Sequence, residues 1–336
     1  MLRKWCCCRA SPHDLPALIA IREDPRLRRL YRCLTSPLVR LAFLLLGVLF
    51  LALVLRSRWH ALQQHRFHIQ AWRLLASYLL LCLAWLLEVS LWRALLSSLG
   101  ARLSPRRAMS VWFLSNLVRY VPGNVWQFLG MMELGAASRV PRGAMLGSIG
   151  LHQVLSNASG LLVGSYAILV WSGIPSSAAA MVAGGFLALV VPLGPLLLGR
   201  TQRLVASLSG TERASTALSP PASLLILPGY CLHWLVIGSG FWFLSSGIGA
   251  IGSSGVLVSA SAFAGAYVLG YLSLLTPSGL GVREGVLAIL LTALTGSAGA
   301  AAAALASRVW LTAGELAGSA VAATADSSVL LRPESG

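Results

Sequence analysis

The chain has 336 residues, of which 57% are hydrophobic and 11% charged, and 26 Lys and Arg against 10 Asp and Glu give a formal net charge of +16. A soluble domain carries roughly 25% charged residues, so this composition excludes a soluble globular protein, and it is too apolar for a disordered basic tail. The basic residues fall in short stretches between apolar runs, which is the pattern of loops facing anionic lipid and not of a nucleic-acid-binding surface.

The expected fold class is all-α: a polytopic integral membrane helical bundle of about seven to nine membrane segments, by the length that a span requires. The expected division is a basic cytoplasmic arm at 1–36, a transmembrane region at 37–325 and a short tail at 326–336. The arm holds Cys6, Cys7 and Cys8 beside Arg3, Lys4 and Arg9. Cysteines with neither CxxC spacing nor histidines at zinc-finger distances predict no metal site, and nothing else in the chain asks for a cofactor. The first apolar run begins near Pro37, too late for the apolar region of a signal peptide, so it is expected to be an uncleaved anchor.

A hydrocarbon core of about 30 Å needs about 20 apolar residues per helix. Such runs lie near 38–55, 73–96, 144–170, 178–198, 223–246, 255–275 and 299–323, while 108–134 and 282–296 are apolar but interrupted or short. The stretch with Arg93, Arg102, Arg106 and Arg107 and the stretch with Arg200, Arg203 and Arg213 alternate with uncharged loops at 171–177 and 247–254. Positive residues favour the cytoplasmic side, which predicts a multi-pass protein of the inner (plasma) membrane with its N-terminus inside. The loop with Arg56, Arg58, Arg66 and Arg73 runs against that count. Trp5, Trp59, Trp72, Trp171 and Trp310 fall where an aromatic belt is expected. Loops between spans reach about 25 residues at most, too short to form a separate domain.

Two Pro/Gly-broken helices, either re-entrant or spanning, stand out. In the first, Arg119-Tyr120-Val121-Pro122-Gly123-Asn124-Val125-Trp126-Gln127, proline disfavours helix at Val121 and Asn124 is a good N-cap, so a new helix is expected there. In the second, Pro277-Ser278-Gly279-Leu280-Gly281-Val282-Arg283-Glu284, a short helix is expected from about Val282. Irregular backbone at membrane depth persists only inside protein or beside a water-filled cavity. A fresh helix start there favours an anion, and paired breaks in two halves of a membrane chain point to a substrate site near the midplane. The other reading is a pair of ordinary turns at the membrane surface.

Ionisable residues inside spans usually face the bundle interior and have partners. Arg283 and Glu284 are adjacent and point about 100° apart on a helix, so they are not each other's expected partners. Arg308 and Glu315 share one stripe of the last helix. The expectation is a crossed arrangement, Glu284 with Arg308 and Glu315 with Arg283, with Gly314 and Gly318 allowing close approach. Glu88 reads as interfacial near Arg93. His152, Gln153, Ser156 and Asn157 read as buried hydrogen-bonding groups, with His152 a candidate for proton handling. The chain has no P-loop, HExxH or GxSxG, so no catalytic residue is assigned and an enzyme is not expected.

The first broken segment resembles the K/R-Y-x-P-G-x-x-W stretch of the lysylphosphatidylglycerol synthase transmembrane region, or flippase-like domain family. The second resembles its P-x-G-x-G-x-R-E signature, and Arg308 and Glu315 match a pattern in its last helix. The resemblance covers about residues 38–325. It departs at Met131, where Arg often follows the glycine, and at His152 or Gln153, where Glu often stands. It implies substrate contacts at Arg119, Pro122, Gly123, Asn124, Trp126, Pro277, Gly279, Gly281, Arg283, Glu284, Arg308 and Glu315. It also implies partners among membrane lipids, with anionic head groups or polyprenyl phosphate, and among envelope-biosynthesis enzymes. Relatives that aminoacylate phosphatidylglycerol carry a large soluble transferase domain, so that synthase activity is not implied here.

The expected function is flippase-like handling or translocation of an anionic lipid or polyprenyl-phosphate-linked carrier in the cell envelope. The alternatives are a non-transporting accessory or scaffold protein for envelope glycolipid or polysaccharide synthesis, and an intramembrane lipid-phosphate transferase with Glu284 or His152 as base.

Overall fold

In hydrocarbon the α-helix satisfies every backbone N–H and C=O within one segment. The computed structural model describes residues 68–116, 125–190, 220–252, 255–273 and 281–325, with Arg56, Gly199 and Gly279 besides, and its regular elements among these are all helical. Eight helices follow in chain order: α1 (Ala71–Ser98), α2 (Pro105–Asn116), α3 (Val125–Ala136), α4 (Arg142–Trp171), α5 (Ser176–Val190), α6 (Pro220–Gly247), α7 (Val256–Leu272) and α8 (Val282–Ala325). Four of them, α1, α4, α8 and the Leu225–Gly247 part of α6, are long and apolar enough to cross a membrane. The molecule is an all-α polytopic membrane protein. The runs expected at 73–96, 144–170, 223–246 and 255–275 are α1, α4, α6 and α7, each within a few residues. The expected arm at 1–36, the span at 38–55, the end of the span at 178–198 and the tail at 326–336 lie outside the described residues.

α1 is a run of Leu and Ala with no Gly or Pro inside it. It stops where Gly100 takes a φ of 81°, and Gly100 and Ala101 donate their N–H groups back to Ser97 and Leu96. This closes the last turn and satisfies carbonyls the helix leaves open. Arg93, inside the expected run at 73–96, lies in the last part of α1, and its Nε donates to the Leu103 carbonyl at 3.1 Å. One face of α1 exposes Leu75, Leu79, Leu83 and Leu86, while Leu81, Ala84 and Trp85 on the other are buried.

Small residues set the helix crossings, as in membrane bundles generally. A Cβ on Gly164 of α4 would stand 2.5 Å from Gly265 Cα of α7, and one on Gly238 of α6 would stand 2.5 Å from Ala260 Cα of α7. Gly314 of α8 faces Leu81 and Trp85 of α1 at 2.7 Å by the same measure, and Gly318 lies against the Phe113 ring of α2. This is the close approach expected of the glycine pair. Trp72 and Trp171 are exposed as a belt requires, but Trp310 is buried. It sits in the middle of a packed helix, edge-on to Phe263 at 6.1 Å and to Tyr78 at 6.5 Å, and belongs to the core. Trp5 and Trp59 lie outside the described residues.

α8 is 44 residues long and is broken at Gly296, where φ is 68° and ψ 172°. The two limbs, 282–295 and 297–325, correspond to the separate runs expected at 282–296 and 299–323. At 1.5 Å per residue the first limb is about 21 Å long, short of the roughly 30 Å of a hydrocarbon core.

Candidate functional site

The start of α8 is built on two glycines. Gly279 and Gly281 have φ of 67° and 84°, conformations that cost little only without a side chain. The turn also presses on α7: a Cβ on Gly279 would stand 2.7 Å from the Gly270 carbonyl, and one on Gly270 would stand 2.7 Å from Arg283 Cβ. The break therefore sits inside the protein, where irregular backbone is tolerated.

Glu284 organises this start. Its Oε2 accepts the Gly281 N–H at 2.7 Å, a reach-back cap on the first turn. Its Oε1 lies 3.2 Å from Arg283 Nη2 and 3.5 Å from Arg308 Nη1. The expected meeting of Glu284 and Arg308 is therefore present. The expectation that Arg283 and Glu284 are not partners is corrected, because the long guanidinium arm curls back to the same carboxylate oxygen that Arg308 reaches. The Arg283 guanidinium also lies over the Tyr267 ring, 5.6 Å from its centroid. Glu315 shares a cavity wall with Arg283.

That cavity has a volume of about 70 Å³, room for several waters or one small polar group. Every described helix except α5 contributes to it. α1 brings Trp85 and Glu88, α2 brings Trp112 and Asn116, and α3 brings Gln127. α4 contributes the polar run of His152, Gln153, Ser156 and Asn157. α6 adds His233 and Trp234, α7 adds Tyr267 and Tyr271, and α8 adds Arg283 and Glu315. Gln127, the last residue of the first broken segment, and Arg283, in the second, both line this space, while the break itself at Pro122 and Gly123 lies outside the described residues.

The wall carries unmet hydrogen-bonding capacity. Trp112 Nε1, Arg283 Nε and Asn116 Oδ1 are buried with no hydrogen-bond partner among the described residues. Unmet donors and acceptors are rare in protein interiors and call for a water or a ligand. Other polar groups are spent: Trp234 Nε1 donates to the Ser156 carbonyl at 2.8 Å, and Trp92 Nε1 donates to Ser148 Oγ at 3.1 Å.

A second cluster stands on the α1, α4 and α6 side. Glu88 Oε1 is 3.7 Å from His152 Nε2 and 3.8 Å from His233 Nε2, and the Glu88 side chain is 15% exposed. The interfacial reading of Glu88 is thus corrected: α1 turns it inward with Trp85, away from its lipid-facing leucines. His152 Nδ1 is 2.7 Å from the Tyr230 hydroxyl, and its ring meets Trp112 edge-on at 4.9 Å.

The model of one family, the lysylphosphatidylglycerol synthase TM region, matches residues 38–313. The chain belongs to that family. No curated protein and no solved structure matches it. Membership makes this a membrane-embedded protein of a lipid-related envelope family, in accord with the four long apolar helices.

Among the residues that the family signatures single out, Gly279, Gly281, Arg283, Glu284, Arg308 and Glu315 are described, and they gather at the start of α8 and on its second limb. Trp126 lies in the first turn of α3. Arg119, Pro122, Gly123, Asn124 and Pro277 lie outside the described residues. Sequence reasoning missed His233 and misplaced Glu88. The signal for His233 was present, since it is an ionisable residue midway along a long apolar helix.

Proposed function

We propose that the protein handles or translocates an anionic lipid or a polyprenyl-phosphate-linked carrier, with the head group in the cavity and the chains in the bilayer. The observation that carries this is the pair of buried donors Trp112 Nε1 and Arg283 Nε, without a hydrogen-bond partner among the described residues, on side chains that line one polar cavity inside an apolar bundle. Phosphate oxygens are strong acceptors, and a guanidinium matches their geometry. The reading involves no covalent step, so the protein would not be an enzyme. The Arg-rich loops support a plasma-membrane protein with its N-terminus in the cytoplasm.

A second reading, a non-transporting accessory protein for envelope glycolipid or polysaccharide synthesis, draws support from one observation. The helix start that would attract an anion already holds the protein's own Glu284 carboxylate.

Lipid translocation in proteoliposomes separates the two. Purified protein is reconstituted with fluorescent phosphatidylglycerol, phosphatidylcholine and polyprenyl-phosphate probes, beside Arg283→Ala and Gly281→Leu. Protein-dependent movement of an anionic probe that Arg283→Ala slows at least about tenfold, the effect of losing one charge-assisted pair, is the expected result. Rates equal to empty liposomes for every probe would sink the translocase reading and leave the accessory role.

A further inference from the structure

The Glu88, His152 and His233 cluster has no part in the donor set above, and its hydrogen-bond chemistry leads further. His233 Nδ1 stands 3.0 Å from the Ala84 carbonyl. A carbonyl only accepts, so Nδ1 carries the hydrogen. In the neutral ring Nε2 then bears a lone pair, and Glu88 Oε1 faces it at 3.8 Å. Two acceptors facing each other repel, whereas a proton placed between them makes a charge-assisted pair, directly or through one water. His152 differs. Its Nδ1 lies 2.7 Å from the Tyr230 hydroxyl, which can give or take the hydrogen, so a neutral ring is able to accept there and direct Nε2–H to Glu88 at 3.7 Å. One imidazole is satisfied neutral, and the other has a place for one more proton.

We propose that Glu88 and His233 form a proton-binding site of the cavity, and that loading it is linked to occupancy of the same cavity by an anionic head group. The proposal rests on the reading that the cavity takes an anion.

The surroundings favour the linkage. From α7 the facing groups are the phenols of Tyr267 and Tyr271, and from α6 and α4 they are Tyr230 and His152. α2 and α3 bring only the amides of Asn116 and Gln127 and the Trp112 indole, and α5, packed on α4, carries no titratable residue. α8 brings Arg283 and Glu315, with Glu284 and Arg308 paired at its start. Whatever the other charges, protonation of His233 makes the cavity one charge more positive than it is with the neutral ring. A phosphodiester enters the loaded cavity against less repulsion. By reciprocity its presence draws the proton in.

Solid-state NMR on the full chain labelled with 15N-histidine tests this in bilayers of phosphatidylcholine with and without phosphatidylglycerol, over the range in which histidine ordinarily titrates. His233 is assigned by the loss of its signal in His233→Asn, whose amide keeps the donor to Ala84. Exposed His68 reports the pH at the anionic surface. The expected result is a His233 ring that gains its second N–H as the pH is lowered. Its protonated-to-neutral ratio should rise at least about fivefold with phosphatidylglycerol, after correction by His68, the lower end of usual coupling. Glu88→Gln should abolish that rise. A His233 that stays neutral throughout, or that protonates equally with and without the anionic lipid, overturns the proposal. The translocation assay decides the function separately: lipid-linked protonation without translocation would refute transport and keep the proton site, and translocation without linked protonation would do the reverse.

Discussion

Glu284 serves three groups with two oxygens, one on the Gly281 N–H at 2.7 Å and one between Arg283 and Arg308. A buried charge that loses a partner is costly because its desolvation is no longer offset. Arg308→Ala leaves Glu284 with Arg283, so its expected cost is about 1–3 kcal/mol, within the usual range for a damaged network. In a cycle with Glu284→Ala the two losses should fall short of additive by about 0.5–3 kcal/mol, measured by SDS-driven unfolding of the purified protein. Additive losses would show that the 3.5 Å contact carries no energy. The meeting of Glu284 and Arg308 was legible in the sequence, because charges in apolar runs must find each other. The Glu88 and His233 meeting was not, because it depends on how α1 and α6 are rotated against each other, and neither helix declares its rotation by amphipathic pattern in a chain apolar on all sides.

Among elements, the glycines decide how closely helices approach. Gly150 and Gly164 lie on the same helix, α4, and make opposite predictions. A Cβ on Gly150 meets nothing within 4 Å, while one on Gly164 meets the α7 backbone at 2.5 Å. Gly150→Ala should therefore be neutral or stabilising by up to about 1 kcal/mol, the helix-propensity gain over glycine. Gly164→Ala should destabilise by about 1–3 kcal/mol through overpacking. The same unfolding assay reads both, and equal effects would mean that the α4–α7 crossing is not set by contact at Gly164. Element positions were largely legible from apolar run length, and the break at Gly296 falls between two runs that the sequence already separates. The place of Trp310 was not. Aromatic residues mark interfaces only where they lie at the end of a span, and α8 carries this one to mid-helix, against Phe263.

For the whole molecule, seven described helices converge on one cavity that joins the α8 start to the Glu88 cluster. If one proton accompanies each monovalent head group, the movement is electroneutral and a pH gradient alone biases it. A gradient of one pH unit, worth about 1.4 kcal/mol at 25 °C, then supports up to about a tenfold excess of the anionic lipid in the leaflet on the alkaline side. Fluorescent-lipid quenching in reconstituted vesicles measures this. A wild-type protein that equilibrates lipid but builds no excess would rule out the coupling at this scale. The broken start of α8 was the part of the site that the sequence made legible, since a break at membrane depth needs a protein interior around it. The tyrosines and tryptophans that complete the wall carry no such mark, because the same residues serve equally well in an ordinary core.

α1 presents Glu88 and Trp85 to the cavity and Leu75, Leu79, Leu83 and Leu86 to its exposed side. A helix with its side chains is about 10–12 Å across, so among the described residues a single helix stands between the polar cavity and that exposed apolar face. On the proposed reading, a head group entering from the bilayer plane would need only a seam beside α1 to part, and no pore through the bundle. The chains of that same molecule then fill the opened seam with hydrocarbon. Entry of this kind would keep the membrane sealed to small ions throughout, with the cargo itself serving as the gasket.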